Sequence, residues 1–189
     1  MIDDDIRNFA WKPDLYAQSL IPADEFKVNE IFSDMLQLLE YGYDHVGIYD
    51  RPRCGLSKGS YYTENGLAMQ ITAFKRSVLL AEGIRYDDVI LAQDKHMTLS
   101  LLERGYKNAL IAWATYNCLG TQAEGGCSIF RTEELINSEA EKLASLHPGV
   151  RITPKVVNYK GIQSVVNKVT VRWKDSYWPN SSLPQPNLP

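Results

Sequence analysis

Apolar residues recur at three- and four-residue steps over much of this chain, and that repeat predicts helices. Over residues 100–120 it runs through Leu102, Tyr106, Ala109, Leu110, Trp113 and Tyr116. Ser100 and Glu103 have the spacing of a capping box, and Gly120 is placed as a left-handed stop. The same repeat predicts a first helix over residues 22–41, with Val28, Phe32, Met35 and Leu39 on one stripe and Asp24 and Glu25 at its positive end. A second helix is expected over 63–82, capped by Thr63 and stopped by Gly83. A further helix over 132–147 is polar on one side and carries Ile136, Ala140, Leu143 and Ala144 on the other. It would pair with the 100–120 helix as an antiparallel hairpin.

After Gly149 the period changes from helical to alternating. Val169, Val171 and Trp173 alternate with Lys168, Thr170 and Arg172, and valines are dense on both sides of Gly161, which predicts a β-hairpin. The expected fold class is therefore mainly α with a C-terminal β-hairpin: a bundle of about four helices with extended arms. Its divisions are an N-terminal arm (1–21), a helical domain (22–149), the hairpin (150–175) and a proline-rich tail (176–189).

Composition adds limits rather than an activity. A 44% hydrophobic and 23% charged chain of 189 residues has enough apolar surface for a core. The net charge of −3 speaks against a dedicated nucleic-acid binder. Three widely spaced cysteines and an acidic N-terminus point to a reducing, cytoplasmic setting. No apolar run approaches the ~20 residues of a membrane span.

The chemistry-bearing residues form few constellations. Residues 50–66 place Arg51, Arg53 and Lys58 among glycines and serines, but not with the spacing of a phosphate-binding Walker loop. The plain reading is a polar surface loop. The sharper one makes those three cations sequence-independent contacts to a nucleic-acid backbone. Cys54 beside these arginines, with Asp44 and His45 upstream, is the one set that offers a nucleophile and a base. It supports an alternative reading as a small nucleotide- or nucleic-acid-acting enzyme. The histidines and cysteines lack metal-ligand spacing, so no metal and no cofactor are expected. Eleven tyrosines and four tryptophans favour protein interfaces over catalysis. Phe9, Trp11, Tyr177, Trp178, Leu183 and Leu188 in the two arms are the candidate partner-binding residues.

Within residues 101–146, LLERGYKNALIAWATYNCLG followed by FRTEELINSEAEKLASL resembles the helical hairpin of tailed-phage head-to-tail connector (adaptor) proteins. The resemblance implies a non-enzymatic virion subunit, assembled in the host cytoplasm into a homo-oligomeric ring around the DNA channel. Portal and tail proteins would be its partners.

Overall fold

Residues 108–118 are a β-strand, and the fold is built around it. In the computed structural model, which describes residues 1–3, 5–54, 59–118, 131–159 and 162–178, the main sheet joins six strands. They are β1 (Ile6–Trp11), β2 (Ile21–Pro22), β3 (His45–Asp50), β4 (Tyr62–Glu64), β5 (Thr72–Phe74) and β6 (Asn108–Cys118). Along the path β2-β1-β6-β3-β5, β6 is central. On one side it runs parallel to β3; on the other, β4 pairs with its first half and β1 with its second, both antiparallel.

The helical bundle expected from the sequence is thus replaced by a mixed α/β fold, about a third of it strand. The physical reason lies in β6 itself. Asn108 to Tyr116 are all buried, because both faces of the strand are covered. Such a strand has no polar alternation, and its apolar run can satisfy a helical spacing by chance. Ser100 and Glu103 belong instead to the end of a preceding helix, and Gly105, at φ 84°, turns the chain out of it. The helical pairing across residues 101–146 is accordingly absent: a strand stands where its first helix was expected.

The helices are α1 (Glu25–Glu40), the single turn α2 (Arg51–Cys54), α3 (Arg76–Glu82), α4 (Gln93–Glu103) and α5 (Glu133–Leu146). Asp24 caps α1 by accepting the Lys27 amide at 2.9 Å, and Thr132 caps α5 by accepting that of Leu135 at 3.2 Å. α1 lies on one face of the sheet, where Ile31 and Met35 meet Val46, Ile48, Ile111, Trp113 and Tyr116. Burying each of those two side chains contributes about 1.5–3 kcal/mol. Asp34 adds a polar tie, accepting the Trp113 indole N–H at 3.0 Å and the Tyr61 hydroxyl at 2.7 Å.

The chain expected as a single helix over 63–82 is β4, an irregular stretch, β5 and then the seven-residue α3. Its irregular part lies against the second face of the sheet. A Cβ on Gly66 would stand 2.3 Å from Leu110 Cδ1, and one on Gly47 2.7 Å from Ala68 Cβ, so both glycines permit a close backbone approach. Asn108 fixes that approach, accepting the Gly66 amide at 3.1 Å and donating to the Gly66 carbonyl at 2.8 Å. α4 packs on two sides: Met97 and Leu101 against Val78 and Tyr106, Leu99 against Val89, Leu143 and Val150. That two-sided burial leaves it almost no polar face.

The last described unit is α5 with the hairpin of β7 (Val150–Tyr159) and β8 (Ile162–Val171), a separate two-stranded sheet. Val150, Val169 and Val171 on one hairpin face pack with Leu143 and Ala144 of α5. At the other end of the chain, Ile6–Trp11 is no arm: it is β1, antiparallel to β6.

Candidate functional site

The residues of the 50–66 loop divide between described and undescribed chain. β3 runs directly into α2, and α2 folds against β6 where the β3–β6 register jumps from Ile48↔Ile111 to Tyr49↔Thr115. Cys54 plugs that irregularity, only 1% exposed, its thiol donating to the carbonyls of Ala112 (3.6 Å) and Ala114 (3.9 Å). Burial pushes the thiol pKa up, and the nearby Lys12 ammonium only partly opposes this. A protonated, enclosed sulfur is a weak nucleophile.

His45 lies opposite Asn108, at the far end of the parallel pairing from Cys54. Four to six residues of extended β6 separate the two sites, on the order of 15 Å. The imidazole is buried, stacked on Phe74 at 4.4 Å, and neither ring nitrogen has a hydrogen-bond partner among the described residues. Burial lowers its pKa to about 3. Asp44 does not orient it; it pairs with Lys75 at 3.1 Å and accepts the Lys107 amide at 3.1 Å. The nucleophile and base considered from sequence are therefore not brought together.

Arg51 is exposed and donates to Asn117 Oδ1 at 3.5 Å. With Lys12 it borders a cleft of about 480 Å³ between α2 and the β1–β2 connection. The Lys12 ammonium, nearly buried, donates to the Cys54 carbonyl at 2.8 Å. The Arg53 side chain, Lys58 and the third cysteine, Cys127, lie outside the described residues.

Of the partner-binding candidates, Phe9 packs edge-on to Phe32 at 5.8 Å and Trp11 lies under the Lys27 ammonium at 4.4 Å. Both contribute to the sheet's own core. Tyr177 is half-buried. Trp178 is 41% exposed, and its amide donates to the Leu102 carbonyl at 3.2 Å, which ties the chain beyond the hairpin to α4. Leu183 and Leu188 lie outside the described residues.

Two arrangements had no sequence forecast. One is a line of titratable groups, its two histidines buried, joining α4 to the end of α5. Asp88 is 3.4 Å from His96 Nε2, His96 Nδ1 is 2.9 Å from His147 Nε2, and His147 Nδ1 is 2.7 Å from Glu103. Three hydrogen bonds need three ring protons, and two neutral imidazoles carry two. Burial first, then the neighbouring His147, lower the His96 pKa, while Asp88 pulls the other way. No motif marks this pair, since 51 residues separate the two histidines.

The other is the outward strand edge of the hairpin, an element that the alternating pattern itself predicts. The hairpin register sets Val156 against Val165 and Pro154 against Asn167. Asn137 of α5 accepts the Asn167 amide at 2.7 Å and donates to the Val165 carbonyl at 3.3 Å, so these β8 groups point away from β7. Antiparallel alternation then turns the backbone groups of Ile152, Val156 and Asn158 outward on β7, with the N–H-less Pro154 among them. Among the described residues no strand pairs with that outer edge. By contrast, β2 is two residues long and ends in Pro22, while Met1 and Asp3 bond along residues 70–72 at the β5 edge. Val156 and Val165 are 62% and 51% exposed. The opposite hairpin face carries Arg151, Lys155 and Lys168, and no acidic residue occurs between Val150 and Lys174. That one-sign run was the available sequence signal.

The chain is a mixed α/β sheet protein with an appended α-helix and β-hairpin. It matches no family model, no curated protein and no solved structure. No helix among the described residues is long and apolar enough to cross a membrane.

Proposed function

We propose that this protein is a non-enzymatic structural subunit that works by binding other proteins and by assembling with copies of itself. The observation that carries the reading is the hairpin: a β7 edge that no strand among the described residues pairs with, beside the exposed Val156–Val165 pair. Unpaired backbone groups flanked by apolar side chains accept an added strand from a neighbour. In its narrower form, the subunit belongs to a phage head-to-tail connector ring, with portal and tail proteins as neighbours in the virion. The helical hairpin behind that resemblance is not present, so the narrower form rests on the assembly chemistry of β7 and β8.

Native mass spectrometry and negative-stain microscopy of the purified protein test this. A discrete oligomer is expected, and Val156→Asp with Val165→Asp should dissociate it. A protein that stays monomeric at high concentration, and that isolated portal rings do not recruit, overturns the reading.

The enzyme alternative draws on the cationic cleft of Lys12 and Arg51. Titration with nucleoside triphosphates separates the two: saturable binding lost in Arg51→Gln favours the enzyme.

A further inference from the structure

We propose that the solvent face of the β7–β8 hairpin is a binding site for the phosphate backbone of nucleic acid, with Arg151, Lys155 and Lys168 as its cations. The proposal rests on the charge pattern of one face and stands apart from the assembly reading.

Alternation along the two strands sends Val150, Ile152, Val169 and Val171 to the α5 side and the intervening residues to the other. Arg151 faces Thr170, Thr153 faces Lys168 and Lys155 faces Val166. The three cations therefore zigzag up one face, each displaced from the last by two residues along the ribbon. At ~3.4 Å per residue that step is about 7 Å, close to two rises of a nucleic-acid strand at about 3.4 Å per phosphate.

All three side chains are exposed, and none has an ion-pair or hydrogen-bond partner among the described residues. Arg172 is different, because Asp175 lies 3.9 Å from it. Thr153 and Thr170 interleave with the cations and supply hydroxyl donors of the kind that reach phosphate oxygens. An acidic protein surface is a poorer fit. Protein interfaces have an apolar core inside a polar rim, and the half of this face nearest the base of the hairpin is Arg, Thr and Lys without an apolar residue among them. Val166 lies opposite Lys155, and Val157 and Ile162 follow toward the loop end. A two-stranded ribbon also has the width that a DNA major groove admits.

The net charge of −3 gives this site a specific signature. The remainder of the chain repels a polyanion, so binding should be weak and carried by few contacts. Three neutralised phosphates give a slope of log K against log salt of about −2.7. Raising salt from 50 to 200 mM then weakens binding about 40-fold.

Fluorescence anisotropy of a labelled DNA duplex of arbitrary sequence, titrated with the full chain at 50–200 mM NaCl, tests the proposal. The expected slope is near −2.7, each of Arg151→Gln, Lys155→Gln and Lys168→Gln should lower its magnitude by about 0.9, and the triple variant should not bind. Arg51→Gln should leave the slope unchanged. Circular dichroism confirms that the variants are folded, and the single substitutions keep the test valid if the triple is not. The proposal is overturned by absence of binding at 50 mM salt, or by unchanged slopes in the three single variants. It also fails if polyglutamate or phosphatidylserine vesicles capture the protein as strongly as the duplex through the same residues.

Discussion

His45 stands at the start of β3 with its ring enclosed against Phe74 and both nitrogens without partners, so protonating it in place would strand a charge. The folded pKa of about 3 lies below the ~6.5 of an unfolded histidine. The unfolded chain therefore takes up the proton first. The stability tied to this group is fully present above the unfolded pKa and is lost as pH falls from about 6.5 toward 3. Near pH 5 the difference is close to one proton, or about 1.3 kcal/mol per pH unit. Integrated from pH 7 to 4.5, the loss is roughly 2–3 kcal/mol, a large share of the 5–15 kcal/mol typical of a domain. Urea unfolding followed by tryptophan fluorescence at half-unit pH steps measures it. His45→Phe keeps a planar ring against Phe74 and removes the titration; His45→Leu serves if the larger ring strains the site. Either variant retains His96 and His147, so its difference from the parent isolates this one residue. Parallel stability–pH curves for parent and variant between pH 6 and 4.5 would refute the reasoning, as would a folded-state imidazole titrating near 6.5 by NMR.

Three further outcomes follow from the packing. Gly47→Ala should destabilise by about 1–3 kcal/mol, since its methyl falls 2.7 Å from Ala68 Cβ, and Ala68→Gly in the same chain should recover part of that in a double-mutant cycle. Asn108→Ala should lower stability by about 2–4 kcal/mol in denaturant melts, because it strands the buried amide and carbonyl of Gly66. In a Cys118→Ser, Cys127→Ser background, Cys54 should react with a thiol reagent only as fast as the protein unfolds; rapid labelling of the native state would contradict its enclosure between α2 and β6.

How far the sequence could be read depended on how many faces each element buries. α1 and α5 bury one side, so their stripes and their Asp24 and Thr132 caps are visible in the residues. The hairpin also alternates, with valines inward and Arg151, Lys168 and Thr170 outward. β6 and α4 are covered on two sides, which erases the polar half of either period. Ala109, Ala112 and Ala114 look like helix formers, yet they are small because neighbouring segments press close to β6. The Cys54–His45 pair failed for a related reason: nearness in sequence says nothing once a buried strand carries the two residues to its opposite ends. The His96–His147 contact and the outward edge of β7 depend on tertiary placement and register, which no local pattern encodes.

The central position of β6 also sets the order in which the chain can fold. β1 has two sheet partners, and only β2 follows it closely: Asn8 and Asn117 of β6, joined by a 2.6 Å side-chain hydrogen bond, are 109 residues apart. At ~5–20 residues per second of synthesis, β1 waits on the order of 5–20 s before β6 has even been made. Throughout that interval Phe9 and Trp11 lack the β6 part of the core they later join, Trp113 and Tyr116 included. Closing so long a loop before any pairing is gained makes this a slow, non-local step. The vulnerable species is then the nascent chain with β1 waiting for β6, and a chaperone that shields this apolar strand should raise the yield of folded protein more than any stabilisation of the finished sheet.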